Sequence, residues 1–349
     1  MTHPFNRYTA AGNTFLVMNT WEDPLSLSRE EMRAFVRAAC DYQSGAGADG
    51  VILINHPDPS PSLSPRRGEE QKIVAFRMDY YNPDGTTGML CGNGARCAAQ
   101  AAKNYGFTPL LTKERGRGEV EFEVLGAINT AEFLPNGSVR VYFQDPTVIR
   151  LNFELPIESG QNVMKNYIEN GQNVVANYVD LGSQHVVIFH DELVGAHGNA
   201  PESGQTGGRI AMRPYDNSDI DEMNIALFGP LLRWHPEFAP LGANASFIEV
   251  REDGEGAYLR IRTFERGVEG ETLACGTGCM SAAIVARLSE RILKMPIRLL
   301  TQSGEFVTVN FTTDGEHVSN LSLEGSVVRG EEGMLTFDEK SGTLDLNYE

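Results

Sequence analysis

Two stretches of the chain carry the same unusual pattern. Residues 91–102 read CGNGARCAAQAA and residues 275–286 read CGTGCMSAAIVA, sharing Cys-Gly-x-Gly-x-x-x-Ala-Ala-x-x-Ala. In each, a cysteine stands in front of two glycines and an alanine-rich run, at a point where a loop becomes a helix. A chain that states the same cysteine twice is expected to use both copies in one place.

The surrounding pattern predicts two mixed halves, and 349 residues are enough for two domains of ordinary size. SREEMRAFVRAAC (28–40) opens with Ser28 and has Glu31 three residues later, a capping-box start to a helix expected to stop near Gly45. GVILIN (50–55) reads as a buried strand, and KIVAFRMDYY (72–81) as another that ends in the turn NPDG. After Cys91 a helix ARCAAQAAKNY is expected to end at Gly106, followed by a strand–turn–strand meander over 119–143 with its turn at PNG. Strands return around ASFIEVRE and AYLRIRTFE, then the second cysteine, then a helix expected over 278–290; the last 50 residues are again strand-like. The domain limits follow as 1–145, 146–325 and a C-terminal segment, 326–349, that returns to the first domain. Three polar stretches read as inserted loops: 56–71, 153–178 and 195–210. The short repeats GQNVMKNY and GQNVVANY are too few to make a solenoid.

Composition excludes several function classes. A 41% apolar and 22% charged chain is that of a soluble globular protein, and a net charge of −18 repels phosphate backbones and anionic lipid. Neither nucleic acid nor a membrane surface is an expected partner. The N-terminus has no basic region followed by an apolar one, and no apolar run approaches the roughly 20 residues that span a bilayer. A cytoplasmic location is the expectation, with the five cysteines kept as thiols.

Each cysteine has a bland reading as a small buried hydrophobe. That reading suits Cys40, Cys97 and Cys279. Zinc is disfavoured, because the spacings C-x5-C and C-x3-C miss the usual knuckles and no histidine lies close in sequence. The chemical reading of Cys91 and Cys275 rests on helix ends. Exposed N–H groups and the helix dipole favour negative charge there, so a thiolate is expected to be stabilised and its pKa lowered. The glycines let the backbone approach a ligand carboxylate. Two such sites facing one carbon would supply a thiolate on one side and a thiol on the other, a two-base inversion of a stereocentre that needs neither pyridoxal phosphate nor metal.

With AAGNTFLVMN (10–19), GAGADG (45–50), YNPDGTTGMLCGNGARC (81–97), LGSQH (181–185), LGANASFIEV (241–250) and FERGVEGETLACGTG (264–278), the chain resembles the diaminopimelate epimerases, within the cofactor-independent amino-acid racemases and epimerases. The resemblance covers nearly the whole chain apart from the three polar stretches. It implies an α/β (α+β) fold of two pseudo-symmetric domains, each a mixed or antiparallel sheet wrapped around a long central helix, with the active site in the cleft between them. It implies an isomerase of lysine and peptidoglycan-precursor biosynthesis, without cofactor, acting on LL- and meso-diaminopimelate as a homodimer. By position, Cys91 and Cys275 match the catalytic pair, and Gly92, Asn93, Gly276 and Thr277 match the helix-end amides that hold the α-carboxylate. Glu265 and Arg266 match the pair after the last strand, with Glu265 neutralising the α-ammonium. Asn13, Asn82 and Asn244 match polar residues lining the substrate, and His185 a histidine beside the catalytic centre.

Each also has a bland alternative: Asn82 as a turn residue, Asn13 as a cap, Glu265–Arg266 as a surface pair, His185 as a structural histidine. The chain departs from the family at GSQH, where Gly-Asn-Pro-His is common, so Ser183 or Gln184 is expected to supply the missing asparagine's contact. ERGVEGET is one residue longer than the commonest form, and Gly50 stands where glutamine is often found. The rival readings are a racemase of another amino acid, a phenazine-type isomerase, an amino-acid-binding module without turnover and a thiol redox sensor. Proline racemases normally have histidine where this chain has Asn93, and phenazine-type isomerases lack the cysteine pair.

Overall fold

The computed structural model describes residues 1–57, 74–87, 91–107, 118–156, 173–195 and 219–348. The chain forms two compact units, one of residues 1–143 and 320–349, the other of residues 144–319. Strands dominate both, in a mixed α/β arrangement.

The first unit holds β1 (Thr2–Ala10), β2 (Asn13–Asn19), β3 (Val51–Asn55), β4 (Val74–Tyr81), β5 (Gly118–Val124), β6 (Ala127–Phe133) and β7 (Val139–Tyr142). β1 and β2 form an antiparallel hairpin, β2–β3 and β4–β5 are parallel, and the remaining sequential pairs are antiparallel. Side chains in β2 and β3 alternate between two cores, as a period of two requires. Phe15, Val17, Ile52 and Ile54 join one cluster, while Leu16, Met18, Val51 and Leu53 join the other. The second cluster is covered by α1 (Arg29–Cys40), through Met32, Phe35, Val36 and Ala39. The first is filled by α2 (Gly92–Asn104), which packs against β1, β2, β3, β4 and β7. Ala95, Cys97, Ala98, Ala99, Ala101 and Ala102 are all fully buried. These small side chains let the sheet close on the helix, so a larger one at the fully buried Ala98 would cost about 1–3 kcal/mol in overpacking.

The second unit holds β8 (Val148–Pro156), β9 (Asn173–Asp180), β10 (Gln184–Phe189), β11 (Asn244–Asp253), β12 (Gly256–Glu265), β13 (Gly270–Thr272), β14 (Ile297–Leu300) and β15 (Phe306–Asp314). Pairing runs β8–β9–β10–β11–β12–β14–β15, with β13 on the C-terminal part of β12; β10–β11 and β12–β14 are parallel. Between strands the chain adds a short helix, α3 (His190–Gly195), and α4 (Ile225–Arg233), which covers β11, β12 and β13. The buried helix α5 (Gly276–Leu288) packs against β9, β10, β11, β12, β14 and β15. β16 (His317–Gly325) then pairs with β7, β17 (Val328–Asp338) pairs with β1, and β18 (Thr343–Tyr348) pairs with β17.

Several sequence expectations need correction in detail. Both cysteine-led helices start immediately after the cysteine, at Gly92 and Gly276, earlier than expected. The Ser28–Glu31 capping box is formed, but α1 stops at Cys40, because Asp41 accepts the Gln43 and Ser44 N–H groups and turns the chain. The meander has an extra turn at Leu125–Gly126, both left-handed, so its first segment is a hairpin. Parts of the 153–178 stretch are ladder strand, with Phe153–Pro156 paired to Asn173–Ala176. Residues 58–73, 157–172 and 196–218, which hold most of the three polar stretches, lie outside the described residues.

Candidate active site

In the first unit the site is built on the start of α2. Cys91 is its N-cap, in extended backbone, and is half-buried. Gly92 and Asn93 form the first turn, where N–H groups lack partners within the helix. The Asn93 side chain points inward: its Nδ2 donates to Asn13 Oδ1 at 2.6 Å, and its Oδ1 accepts from Arg96 Nη2 at 2.9 Å. Arg96 is fully buried and Asn93 is 1% exposed, so this relay fixes Asn13 relative to the helix start.

Asn13 itself follows a two-residue turn in which Ala11 (φ 49°) and Gly12 (φ 82°) are both left-handed, the conformation that tight hairpins require. Asp49, from the GAGADG loop, accepts the Thr14 N–H at 2.8 Å and the Tyr42 hydroxyl at 2.9 Å. Asn82 is held in its own turn, with Nδ2 donating to Thr86 Oγ1 at 3.0 Å. The structure thus joins Asn13, Asn93 and the Cys91 helix start, and it ties Asn82 to the 82–86 turn.

In the second unit, adjoining strand ends meet the start of α5. His185 pairs in register with Asn244, and Ala245 with Phe264, so His185, Asn244 and Glu265 lie at one edge of three neighbouring strands. Cys275 is the N-cap of α5 and is 7% exposed. Its Sγ lies 3.5 Å from Thr277 Oγ1, and His185 Nε2 is 2.9 Å from that same hydroxyl. Thr272 Oγ1 donates to Glu265 Oε2 at 2.8 Å, which orients the carboxylate beside the cysteine. Asn244 is spent on the protein: Nδ2 donates to Ser183 Oγ (3.1 Å) and the Gln184 carbonyl (2.8 Å), and Oδ1 accepts the Arg266 N–H at 2.8 Å. Arg266 Nη1 donates to Gln184 Oε1 at 2.8 Å.

The second glycines of the two motifs differ in packing. A Cβ at Gly278 would lie 3.2 Å from the Cys275 Cβ, the Ser246 Oγ and the Thr263 Oγ1. The same atom at Gly94 would sit 3.5 Å from the Cys91 Cβ. Only Gly278 is tightly packed beneath its cysteine; Gly94 has room for a methyl group in ordinary contact.

The electrostatics correct one expectation. Burial pushes the Cys275 thiol well above its ordinary pKa, and the Glu265 carboxylate pushes the same way. Hydrogen bonding by Thr277 and the Gly278 N–H opposes this without overcoming it. Desolvation outweighs the helix end, so the resting group is the thiol. His185 is held down to about 3 by burial and then by the Arg266 cation, so it is neutral and a hydrogen-bonding group at ordinary pH. Cys40 and Cys97 are buried with raised pKa values, and Cys279 is buried. Arg96, Asp49 and Thr272 are site residues beyond those the sequence singles out; their signals are an arginine three residues after Asn93, an acid in a glycine loop, and a threonine seven residues after Glu265, on the strand that pairs with it. No group of three or more metal-ligating side chains occurs among the described residues.

The family model described as diaminopimelate epimerase matches residues 5–147. The diaminopimelate epimerase of Aquifex aeolicus is 31% identical over 95% of this chain and 97% of its own. That of Chlorobaculum tepidum is 30% identical over 92% and 98%. Among solved structures, a Bacillus anthracis phenazine biosynthesis protein of the PhzF family superposes with a TM-score of 0.62 at 16% identity, covering 97% of this chain and all of that one. A hydroxyproline epimerase from Agrobacterium vitis gives 0.58 at 14% identity, covering 95% and 92%. At such identities these two structures speak to the fold.

Proposed function

The chain belongs to the diaminopimelate epimerase family, and on that premise we propose that it interconverts LL- and meso-2,6-diaminopimelate, a step of lysine biosynthesis, by passing the α-proton between Cys91 and Cys275. The observation that carries the reading is the same device in both units, a cysteine at the N-cap of a buried alanine-rich helix. In one direction the Cys91 thiolate takes the α-proton; the S–H bond forms as the Cα–H bond breaks, and the electron pair passes toward the α-carboxylate. The Cys275 thiol gives its proton to the opposite face and becomes the thiolate. One thiol and one thiolate exist before and after, exchanged between the residues, and the reverse reaction exchanges them back. No external acid, base or cofactor enters the balance.

The extra charge that develops on the α-carboxylate is met by N–H groups of Gly92, Asn93, Gly276 and Thr277. Glu265 takes the α-ammonium. That pairing offsets the carboxylate's part of the push on the Cys275 pKa, which favours the Cys275 thiolate in the return direction, with burial still opposing it. Arg266 takes the distal carboxylate. Asn13, Asn82 and Ser183 line the remaining polar groups, and His185 and Asn244 position Thr277 and Arg266. The resemblance carries two finer expectations into this reading, a homodimer and a cytoplasmic location, which light scattering and fractionation test.

The deciding experiment incubates the protein, freed of metal and pyridoxal phosphate, with LL-diaminopimelate in deuterated water. Meso product carrying deuterium at the inverted α-carbon is the expected result. Equal turnover of a monoamino monocarboxylate of similar length would replace this reading with a general racemase.

A further inference from the structure

Gln184 stands in the LGSQH segment, and its side chain lies between two charges. Nε2 donates to Asp180 Oδ2 at 3.1 Å, while Oε1 accepts from Arg266 Nη1 at 2.8 Å. The frame around it is firm on every side. Its carbonyl accepts from Asn244 Nδ2, its backbone pairs with Asp180 across the β9–β10 hairpin, and the Arg266 N–H is fixed by Asn244 Oδ1. Asp180 is further held by accepting the Gly182 N–H at 2.8 Å. Both polar ends of the glutamine are therefore engaged within the protein, which is a different duty from the substrate contact expected of it.

We propose that Gln184 is a specificity-determining positioning residue, a neutral spacer that holds the Arg266 guanidinium while keeping it from pairing with Asp180. The proposal rests on the reading that Arg266 receives the distal carboxylate of the substrate. The physics is that of charge cancellation. An arginine paired with a carboxylate of its own protein offers an incoming carboxylate little net attraction, whereas one held by an amide oxygen is oriented at no cost in charge. A glutamine at 184 has the reach to touch both partners, and its dipole is aligned with them: the NH2 faces the anion and the carbonyl faces the cation. Asp180, Gln184 and Arg266 thus form a polarised chain that leaves the remaining guanidinium N–H groups and the full positive charge for a ligand.

Two substitutions test this in the full-length protein. Gln184→Glu keeps the shape but places a carboxylate against Arg266, so the KM for LL-diaminopimelate should rise roughly ten- to a hundredfold, the weight of one hydrogen bond to a charged group, with kcat changed by less than about threefold. Gln184→Ala removes the spacer and lets Arg266 turn to Asp180; its raised KM should be relieved by adding Asp180→Asn, a rescue that loss of mere packing would not show. A Gln184→Glu enzyme with KM within twofold of wild type, or a Gln184→Ala defect that Asp180→Asn leaves untouched, overturns the spacer role. A wild type that leaves LL-diaminopimelate unchanged overturns the functional reading and this inference with it, so the two failures are told apart by the wild-type assay.

Discussion

Cys91 and Cys275 occupy the same place in their units, the N-cap of a buried helix, yet the charged residues near the two helix starts differ in sign. Behind the first lies a buried cation, Arg96, acting through Asn93 on Asn13. Beside the second lies an anion, Glu265, which together with burial keeps the thiol protonated. A repeated motif has thus been given two electrostatic settings, by Arg96 at a variable position of the first copy and by Glu265 upstream of the second. The lesson is one of division of labour: the shared Cys-Gly-x-Gly places sulfur and backbone amides, and the side chains around each copy set the local charge.

The comparison breaks most severely at the sulfurs. Replacing either Cys91 or Cys275 by alanine should lower epimerisation by roughly 10³-fold or more, since inversion needs a group on each face, while alanine at Cys97 or Cys279 should leave it within a few-fold; a coupled assay of meso product reads both. Glu265→Gln comes next. It should cost on the order of a hundredfold in kcat/KM, about 2.7 kcal/mol, for a lost charged partner. The same change should shift the pH at which iodoacetamide alkylates Cys275 downward, because removing the nearby negative charge favours the thiolate.

A smaller effect separates the units in stability. Folded His185 titrates near 3 against 6.5 for the free residue, so between those pH values the unfolded chain binds a proton that the folded one does not. Its contribution is fully present above pH 6.5 and is lost as pH falls toward 3. His185→Asn should flatten the pH dependence of urea unfolding by up to about 1.4 kcal/mol per pH unit. The smallest effects lie at the second glycines. Gly278→Ala, pressing on three side chains at 3.2 Å, should destabilise by about 1–3 kcal/mol. Gly94→Ala, in ordinary contact at 3.4–3.5 Å, should be neutral or stabilising by up to about 1 kcal/mol through helix propensity. Thermal melts of the two variants compare them directly.

Local signals made much of the framework legible in the sequence. The Ser28–Glu31 box, the buried strand over 51–55 and both cysteine helices each announce themselves within a few residues. Signals that depend on distant partners were weaker. The hairpin at Leu125–Gly126 was hidden because leucine rarely takes the left-handed conformation it has there. The sign of the Cys275 shift could not be read from its helix end, since it depends on burial by strands far along the chain and on Glu265 across a hairpin. Asn244 shows the same limit. Its position was readable, but its commitment to Ser183, Gln184 and Arg266 depends on the pairing of β10 with β11.

The central claim is that two equivalent helix-end cysteines serve opposite faces of one carbon. Proton exchange in deuterated water tests it most directly, with Cys91→Ala and Cys275→Ala each offered LL- and meso-diaminopimelate separately. A lone remaining cysteine can remove and return a proton only on its own face, so each variant should exchange the α-hydrogen of one stereochemical form without inverting it, and the two variants should choose opposite forms. Exchange from the same form by both variants, or inversion by either one alone, would contradict the account.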